Sequence, residues 1–147
     1  MKEVRSEIEI DASPDRIWQI LTNFSAYPEW NPFITRASGV AKTDARLSIR
    51  IEPPGGRAMT LKPRVLRTER NRELRWLGRL WGIGGLFEGE HALSIQPLDG
   101  GRARVVQQES FRGLLLPLLK GTVDATQKGL EAMNQALKAR AEQSSGG

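Results

Sequence analysis

The chemistry this chain could perform narrows to three side chains. His91 is its single histidine. It lies on an alternating run in which Phe87, Gly89, His91, Leu93 and Ile95 share one face, and the next run puts Ala103, Val105, Gln107, Glu109 and Phe111 on the same side. The turn Leu98-Asp99-Gly100-Gly101 joins the two runs as a hairpin, so His91 falls opposite Gln107 or Glu109, according to register. A histidine and a carboxylate sharing a strand pair inside an apolar cavity could enolise a ketone or remove a proton before loss of water. The carboxylate would set the tautomer and basicity of the imidazole, and Gln107 would orient a carbonyl. The same trio also has a passive reading, as a buried polar set that satisfies itself or orients a ligand's oxygen without reaction. Glu88 and Glu90 have outward parity and read as solvated.

Other chemistries find no footing. One histidine and no cysteine give no recognisable zinc or iron site. Gly82-x-Gly84-Gly85 lies between strands and lacks the strand-to-helix setting of a dinucleotide fingerprint, and there is no G-x-S-x-G elbow. Neither a metal nor a cofactor is expected.

The polar trio must be held by an apolar wall. Trp76, Phe87, Phe111, Met59 and Met133 are its expected members, with Leu61, Leu119, Val123 and Leu130 beside them and Trp30 and Phe33 near the rim. Ligand pockets are mostly apolar with a few polar groups, which describes this set, although the same residues would also make an ordinary core.

The long last helix, Thr122 to about Glu142, positions that wall. Val123, Leu130, Met133 and Leu137 form one stripe of a 3.6-residue period, with Asp124, Glu131, Gln135, Lys138 and Glu142 opposite. At 1.5 Å per residue the helix is roughly 30 Å long, enough to cross a small domain. Residues Glu3 to Asp11 alternate as a half-buried strand. Ser13 as N-cap and Pro14 at the first helical position then start a short helix to about Asn23. Further strands are predicted at about 34–41, 45–52, 58–68, 72–80, 86–97 and 102–112. With the first, these make a seven-stranded antiparallel sheet with one inward face, an α+β layer pair in which the sheet curves over the last helix and leaves a cavity between. Residues 1–142 read as one domain, and the polar tail 143–147 as disordered.

A meander sorts its own loops. Residues 41–44, 70–72 and 98–101 are polar turns at one end of the sheet. Residues 53–56, 81–86 and 114–119, joined by Trp30 to Phe33, gather at the other, which is apolar and glycine-rich. That end either plugs the core or lines a mouth for an apolar ligand.

Lys and Arg outnumber Asp and Glu by 22 to 17, with a pI near 10.1. This biases the surface towards anionic partners. Lys62, Arg64, Arg75 and Arg79 could form a basic patch on the outer sheet face, but no aromatics interleave with them. A solvated face, and no nucleic acid partner, is the expectation. No apolar run reaches membrane-span length, the first residues lack a secretory apolar stretch, and the cytoplasm is the default compartment.

Five segments together resemble the SRPBCC (START / Bet v 1-like) superfamily. They are Ile8-x-Ile10-x-Ala12-Ser13-Pro14-x-x-Ile17-Trp18, Tyr27-Pro28-Glu29-Trp30-Asn31-Pro32-Phe33, Gly89-Glu90-His91, Glu109-x-Phe111-x-Gly113 and Leu130-Glu131-Ala132-Met133-Asn134. Within it they resemble the small bacterial polyketide cyclase/dehydrase proteins. The resemblance implies a helix-grip fold, a seven-stranded sheet wrapped round the C-terminal helix, over nearly the whole chain. Its functional implication is broader, since relatives include lipid-transfer and quinone-binding proteins and aromatase/cyclases. Three functions follow as expectations: binding of a hydrophobic lipid-like or aromatic small molecule; a cyclase, aromatase or dehydratase using His91 and Glu109; or a lipid or quinone carrier in transient membrane contact through Leu114 to Leu119. No inward arginine is evident on the middle strands, where the aromatase/cyclases would have one. Oligomeric state has no signature in the sequence.

Overall fold

The computed structural model describes residues 1–143; the expectation of a disordered tail falls, apart from Gln143, outside them. Strand β1 (Lys2–Ile10) precedes helix α1 (Pro14–Thr22), which starts where the sequence places it: Ser13 Oγ accepts from the Arg16 amide at 3.1 Å and Pro14 occupies the first turn. Helix α1 ends at Thr22, and the chain passes through a 3₁₀ segment, Phe24–Glu29, which contains Pro28. Strands β2 (Ile34–Ser38), β3 (Ser48–Ile51), β4 (Met59–Leu61), β5 (Arg64–Glu69), β6 (Glu73–Arg79), β7 (Glu88–Pro97) and β8 (Ala103–Arg112) lead to α2 (Lys120–Glu142).

The predicted strand over 58–68 is divided into β4 and β5. Pro63 stands between them without an N–H to give to a ladder. Two hydrogen-bonded groups result, in the orders β1-β8-β7-β6-β5 and β2-β3-β4, antiparallel throughout. The segment before β3 spans the break: Leu47 N–H donates to Pro63 O and Val65 N–H to Ala45 O, both at 2.8 Å. The sheet therefore bends sharply at Pro63 and curls over α2, the helix-grip arrangement. The remaining predicted strands all appear, shorter at their ends.

Helix α2 packs on β1, β8 and α1. Val123, Leu130, Met133 and Leu137 are buried as their period requires, each contributing roughly 1.5–3 kcal/mol. The stripe is wider than those four, taking in Thr126, Gly129, Asn134 and Ala141. Gly129 is there because Phe33 is: a Cβ at Gly129 would lie 2.5 Å from the Phe33 ring. Asn31 fixes the path of Phe33, its Oδ1 accepting from the Phe33 and Ile34 amides at 3.0 and 2.9 Å. Among the described residues, no helix is long and apolar enough to cross a membrane.

Alanine outranks glycine in helices by about 1 kcal/mol, yet Gly129→Ala is expected to lower stability by about 1–3 kcal/mol, because the methyl must displace the Phe33 ring. Urea unfolding measures this; a neutral or stabilising result would show that the contact between Phe33 and α2 does not constrain the fold.

Candidate functional site

Between the curled sheet and the first turns of α2 lies a cavity of about 120 Å³. Ile49, Ile51, Met59 and Leu61 form one side; Trp76, Gly78, Phe87 and Phe111 form the other; Phe33, Leu119, Thr122 and Thr126 close it from the helix side. Phe87 and Phe111 stack with centroids 5.4 Å apart. His91 and Glu109 are its ionisable groups, apart from Arg79 at the edge. Gly89 is the space in which the Glu109 carboxyl lies, since a Cβ there would sit 2.7 Å from Glu109 Oε1.

The register resolves the alternative left open by the sequence. His91 lies directly opposite Glu109, and Leu93 opposite Gln107. The hydrogen bond nevertheless runs diagonally, His91 Nε2 to Gln107 Oε1 at 3.0 Å, while His91 Nδ1 stays 3.9 Å from Glu109 Oε2, beyond hydrogen-bond reach. Gln107 is fully buried, and its Nε2 donates to Asn134 Oδ1 on α2 at 2.7 Å; Asn134 Nδ2 donates in turn to Ser6 Oγ on β1 at 3.2 Å. With its amide nitrogen committed to Asn134, Gln107 can only accept from His91. The imidazole proton is thereby assigned to Nε2, leaving Nδ1 as a lone pair facing Glu109.

Electrostatics separates the pair. Burial takes the His91 pKa down from 6.5 to about 4, against the bond to Gln107, which raises it. Burial pushes the Glu109 carboxyl up to about 7; the 16% of its side chain that stays accessible borders the cavity rather than a countercharge. At neutral pH the site holds a neutral imidazole, 4.9 Å from the Trp76 ring, and a carboxyl poised between its two forms. Such a pair can donate a hydrogen bond to a guest's oxygen, or take a proton from its carbon, without metal ligands or a covalent nucleophile.

Of the expected wall residues, Phe33, Met59, Leu61, Trp76, Phe87, Phe111 and Leu119 line the cavity. Val123, Leu130 and Met133 do not: only the N-terminal end of α2 overlies the cavity, where Thr122 and Thr126 face it, and Val123 beside them, like Leu130 and Met133 further along, packs into the solid core. Trp30 does not either. It packs edge-on against Tyr27, 5.2 Å between centroids, beside Arg16 and Arg140. Glu88 keeps its outward parity but is not solvated. Arg79 and Arg112, its cross-strand neighbours, close over it at 3.2 and 2.9 Å, leaving the side chain 7% exposed. Its carboxyl also accepts from the Gly85 amide at 3.0 Å, and that bond and Arg112 hold its pKa below the usual range. Asn134, Thr122 and Thr126 were missed. Asn134 and Thr126 fall on the helical stripe four residues either side of Leu130, which is the signal that marked them.

The glycine-rich end behaves as an unfinished surface. Trp81, Ile83, Leu114 and Leu118 are exposed, at 78, 53, 84 and 79%. The two loops carrying them are bonded together, the Leu114 and Leu115 amides donating to Gly85 O and Leu86 O. Gly113, at φ +127°, makes this possible, since a Cβ would stand 2.5 Å from Leu86 O.

Solved structures share this architecture. A hypothetical protein of Helicobacter pylori superposes with TM-score 0.78 at 22% identity, over 96% of this chain and 88% of its own. A START superfamily protein of Mycobacterium smegmatis gives 0.75 at 24%, over 96% and 97%. BexL, a di-domain ARO/CYC protein of the BE-7585A biosynthetic pathway, gives 0.72 at 17%, over 97% of this chain and 47% of its own. No curated protein sequence matches the chain at a significant level. The model of one family, described as polyketide cyclase / dehydrase and lipid transport, matches residues 1–142, and the chain therefore belongs to that family.

Proposed function

We propose that this protein binds a small, predominantly apolar molecule, or the ring of a larger one, in the cavity under α2, with Glu109 in its protonated form donating a hydrogen bond to a guest oxygen. One observation carries the reading: an otherwise apolar, ring-sized space presents a single carboxyl that burial keeps protonated up to about pH 7. A dry apolar cavity of about 150 Å³ holds benzene, so 120 Å³ takes at most one ring, and that with some yielding of its walls.

Acid–base chemistry is the second reading, favoured by the 3.9 Å gap between the Nδ1 lone pair and a carboxyl titrating near neutrality. In its ionised form Glu109 would take a proton from the carbon next to a bound ketone, the C–H electrons passing to the enolate oxygen. BexL, an ARO/CYC protein by name, shares the fold and makes the chemistry pertinent.

Binding of p-cresol, followed by calorimetry or by shifts of cavity methyl resonances, tests the first reading. If only protonated Glu109 donates, affinity falls roughly tenfold from pH 6 to about pH 8, in step with the protonated fraction. Glu109→Gln is expected to flatten that dependence. Failure of every single-ring phenol or arene to bind would end the binding reading. Base catalysis is tested by deuterium exchange at the α-carbon of acetophenone: exchange at pH 8 above the solvent rate, lost in Glu109→Gln, supports it.

Stability should carry the same signature. Unfolded Glu109 ionises near 4.5 and folded Glu109 near 7, so the folded state holds the extra proton between those values and is progressively penalised as pH rises through them. His91 acts oppositely: the unfolded chain takes up a proton near 6.5 that the folded chain refuses until about 4, so stability is lost as pH falls through that window. Glu109→Gln removes the first effect alone. It is expected to be more stable than wild type by about 3 kcal/mol near pH 8, with the advantage gone by about pH 4 and only the histidine's acid loss remaining. Urea midpoints at several pH values decide it.

A further inference from the structure

The division of the sheet at Pro63 does more than bend it. Strand β5 pairs with β6 from Arg64↔Leu77 to Glu69↔Glu73, but β4 pairs with β3 only, so the end of β6 beyond Leu77 has β7 on one side and no strand ladder on the other. The seam between β4 and β6 is closed by side chains: Leu61 and Pro63 lie 3.9 Å from where a Cβ of Gly78 would be. On the outer face, over this seam, runs a groove of about 630 Å³. Met59, Leu61, Arg79 and Leu80 border both this groove and the inner cavity, so four residues are all that separates them.

The remaining groove wall is cationic. Arg46, Lys62, Arg64 and Arg79 line it, and no carboxylate does. Arg79 shares the single charge of Glu88 with Arg112. Among the described residues, Arg46, Lys62 and Arg64 form no ion pair; Arg46 donates only to the Lys62 carbonyl, at 2.9 Å. Arg46 and Arg64 are, moreover, directly opposed as an antiparallel bridge pair. Like charges facing one another across strands destabilise a sheet. Arg75, four residues before Arg79, shows the alternative, being bracketed by Glu73 and Glu90 at 2.7 and 2.6 Å. Exposed Trp81 stands at the groove's end with φ +53°, a backbone region that bulky residues rarely enter.

Resting on the proposed binding reading and extending it, we propose that this groove holds the oxyanion head of an amphiphilic ligand, a carboxylate or phosphate, whose chain passes between β4 and β6 at Met59, Leu61 and Leu80 and whose apolar end fills the cavity. Two guanidinium forks and an ammonium over a common floor are the donors such a head requires, and its charge relieves the Arg46–Arg64 opposition. Arg46 and Arg64 are then head-group binding residues, and the ligand enters through the sheet rather than past the leucine-rich loops.

Matched probes test this: phenylhexanoate, phenylhexyl phosphate and phenylhexanol, each titrated calorimetrically at low salt against wild type and the double variant Arg46→Gln/Arg64→Gln. In wild type the anions are expected to bind at least about tenfold more tightly than the alcohol, with the preference shrinking as salt rises and falling towards unity in the double variant. The stronger of the two anions identifies the head. Anions and alcohol binding equally to wild type, or a preference that survives the double substitution, would overturn the head-group site while the cavity reading stands. No binding by any of the three, with p-cresol still bound, would overturn the head-group site and the route through the seam; loss of p-cresol binding as well would overturn the cavity reading.

Discussion

The hydrogen bond from Gln107 to Asn134 is the constraint on which the rest depends. Both groups are buried, so losing either would strand the other at a cost of about 1–3 kcal/mol. Because one partner is on β8 and the other on α2, the bond also fixes how deep and at what rotation the helix lies on the sheet, which apolar packing along a stripe leaves only loosely determined. Its other consequences are electronic. It turns the Gln107 oxygen towards His91, settles the imidazole tautomer, and leaves Glu109, one residue pair along the same strand, without a partner within bonding distance. An orphaned carboxyl in an apolar wall is costly, and its raised pKa is how the fold bears that cost at neutral pH.

Room for a guest arises from what is missing. Gly78 and Gly89 are register partners near the adjoining ends of β6 and β7, so two side chains that would otherwise project there are missing, and the Glu109 carboxyl lies over Gly89. Pro63 removes a ladder bond and turns β4 away. Helix α2 presents threonines at its near end, where leucines would fill the gap, and Thr126 satisfies its own hydroxyl on Thr122 O at 2.8 Å. Each omission weakens packing locally, and together they coincide at one place, beside the only buried histidine–carboxylate pair. Glu88 compensates at the edge, tying Arg79, Arg112 and the Gly85 amide so that the glycine-rich loop is anchored at its base although its tip is exposed.

Much of this was legible in the sequence because strand parity is a short-range rule. Period-two alternation put His91, Gln107 and Glu109 on one face, and the hairpin turn brought them together before any contact was known. At Glu88 parity gives the right face but the wrong exposure, because it reports which way a side chain points, not whether arginines on both flanking strands close over it. The 3.6-residue stripe identifies the buried side of α2 but does not tell cavity from solid core: Leu130 and Met133 lie beyond the end of the cavity, and Val123, within its span, turns into the core beside Thr122 and Thr126, which line it. Trp30 was misplaced because its position depends on a 3₁₀ turn whose direction has no periodic signature. Asn134 lay on the stripe in plain view, but a polar residue there has meaning only once its partner on another element is known.

The cavity and the outer groove have opposite preferences, which would orient a guest that reached both. In the cavity, a neutral imidazole and a carboxyl that burial resists ionising cannot hold an anion; a carboxylate guest there would meet a group already close to acquiring the same charge. The outer groove, across Met59 and Leu61, has Arg46, Lys62 and Arg64, which form no ion pair among the described residues. A neutral oxygen is therefore favoured inward, and an anionic one outward. A molecule with both would span the seam in one direction only, because reversing it would bury its charge against Glu109 and leave Arg46 and Arg64 facing each other. Directionality of this kind needs no shape complementarity. It follows from the low dielectric of the interior and the opposed arginines on its outer wall.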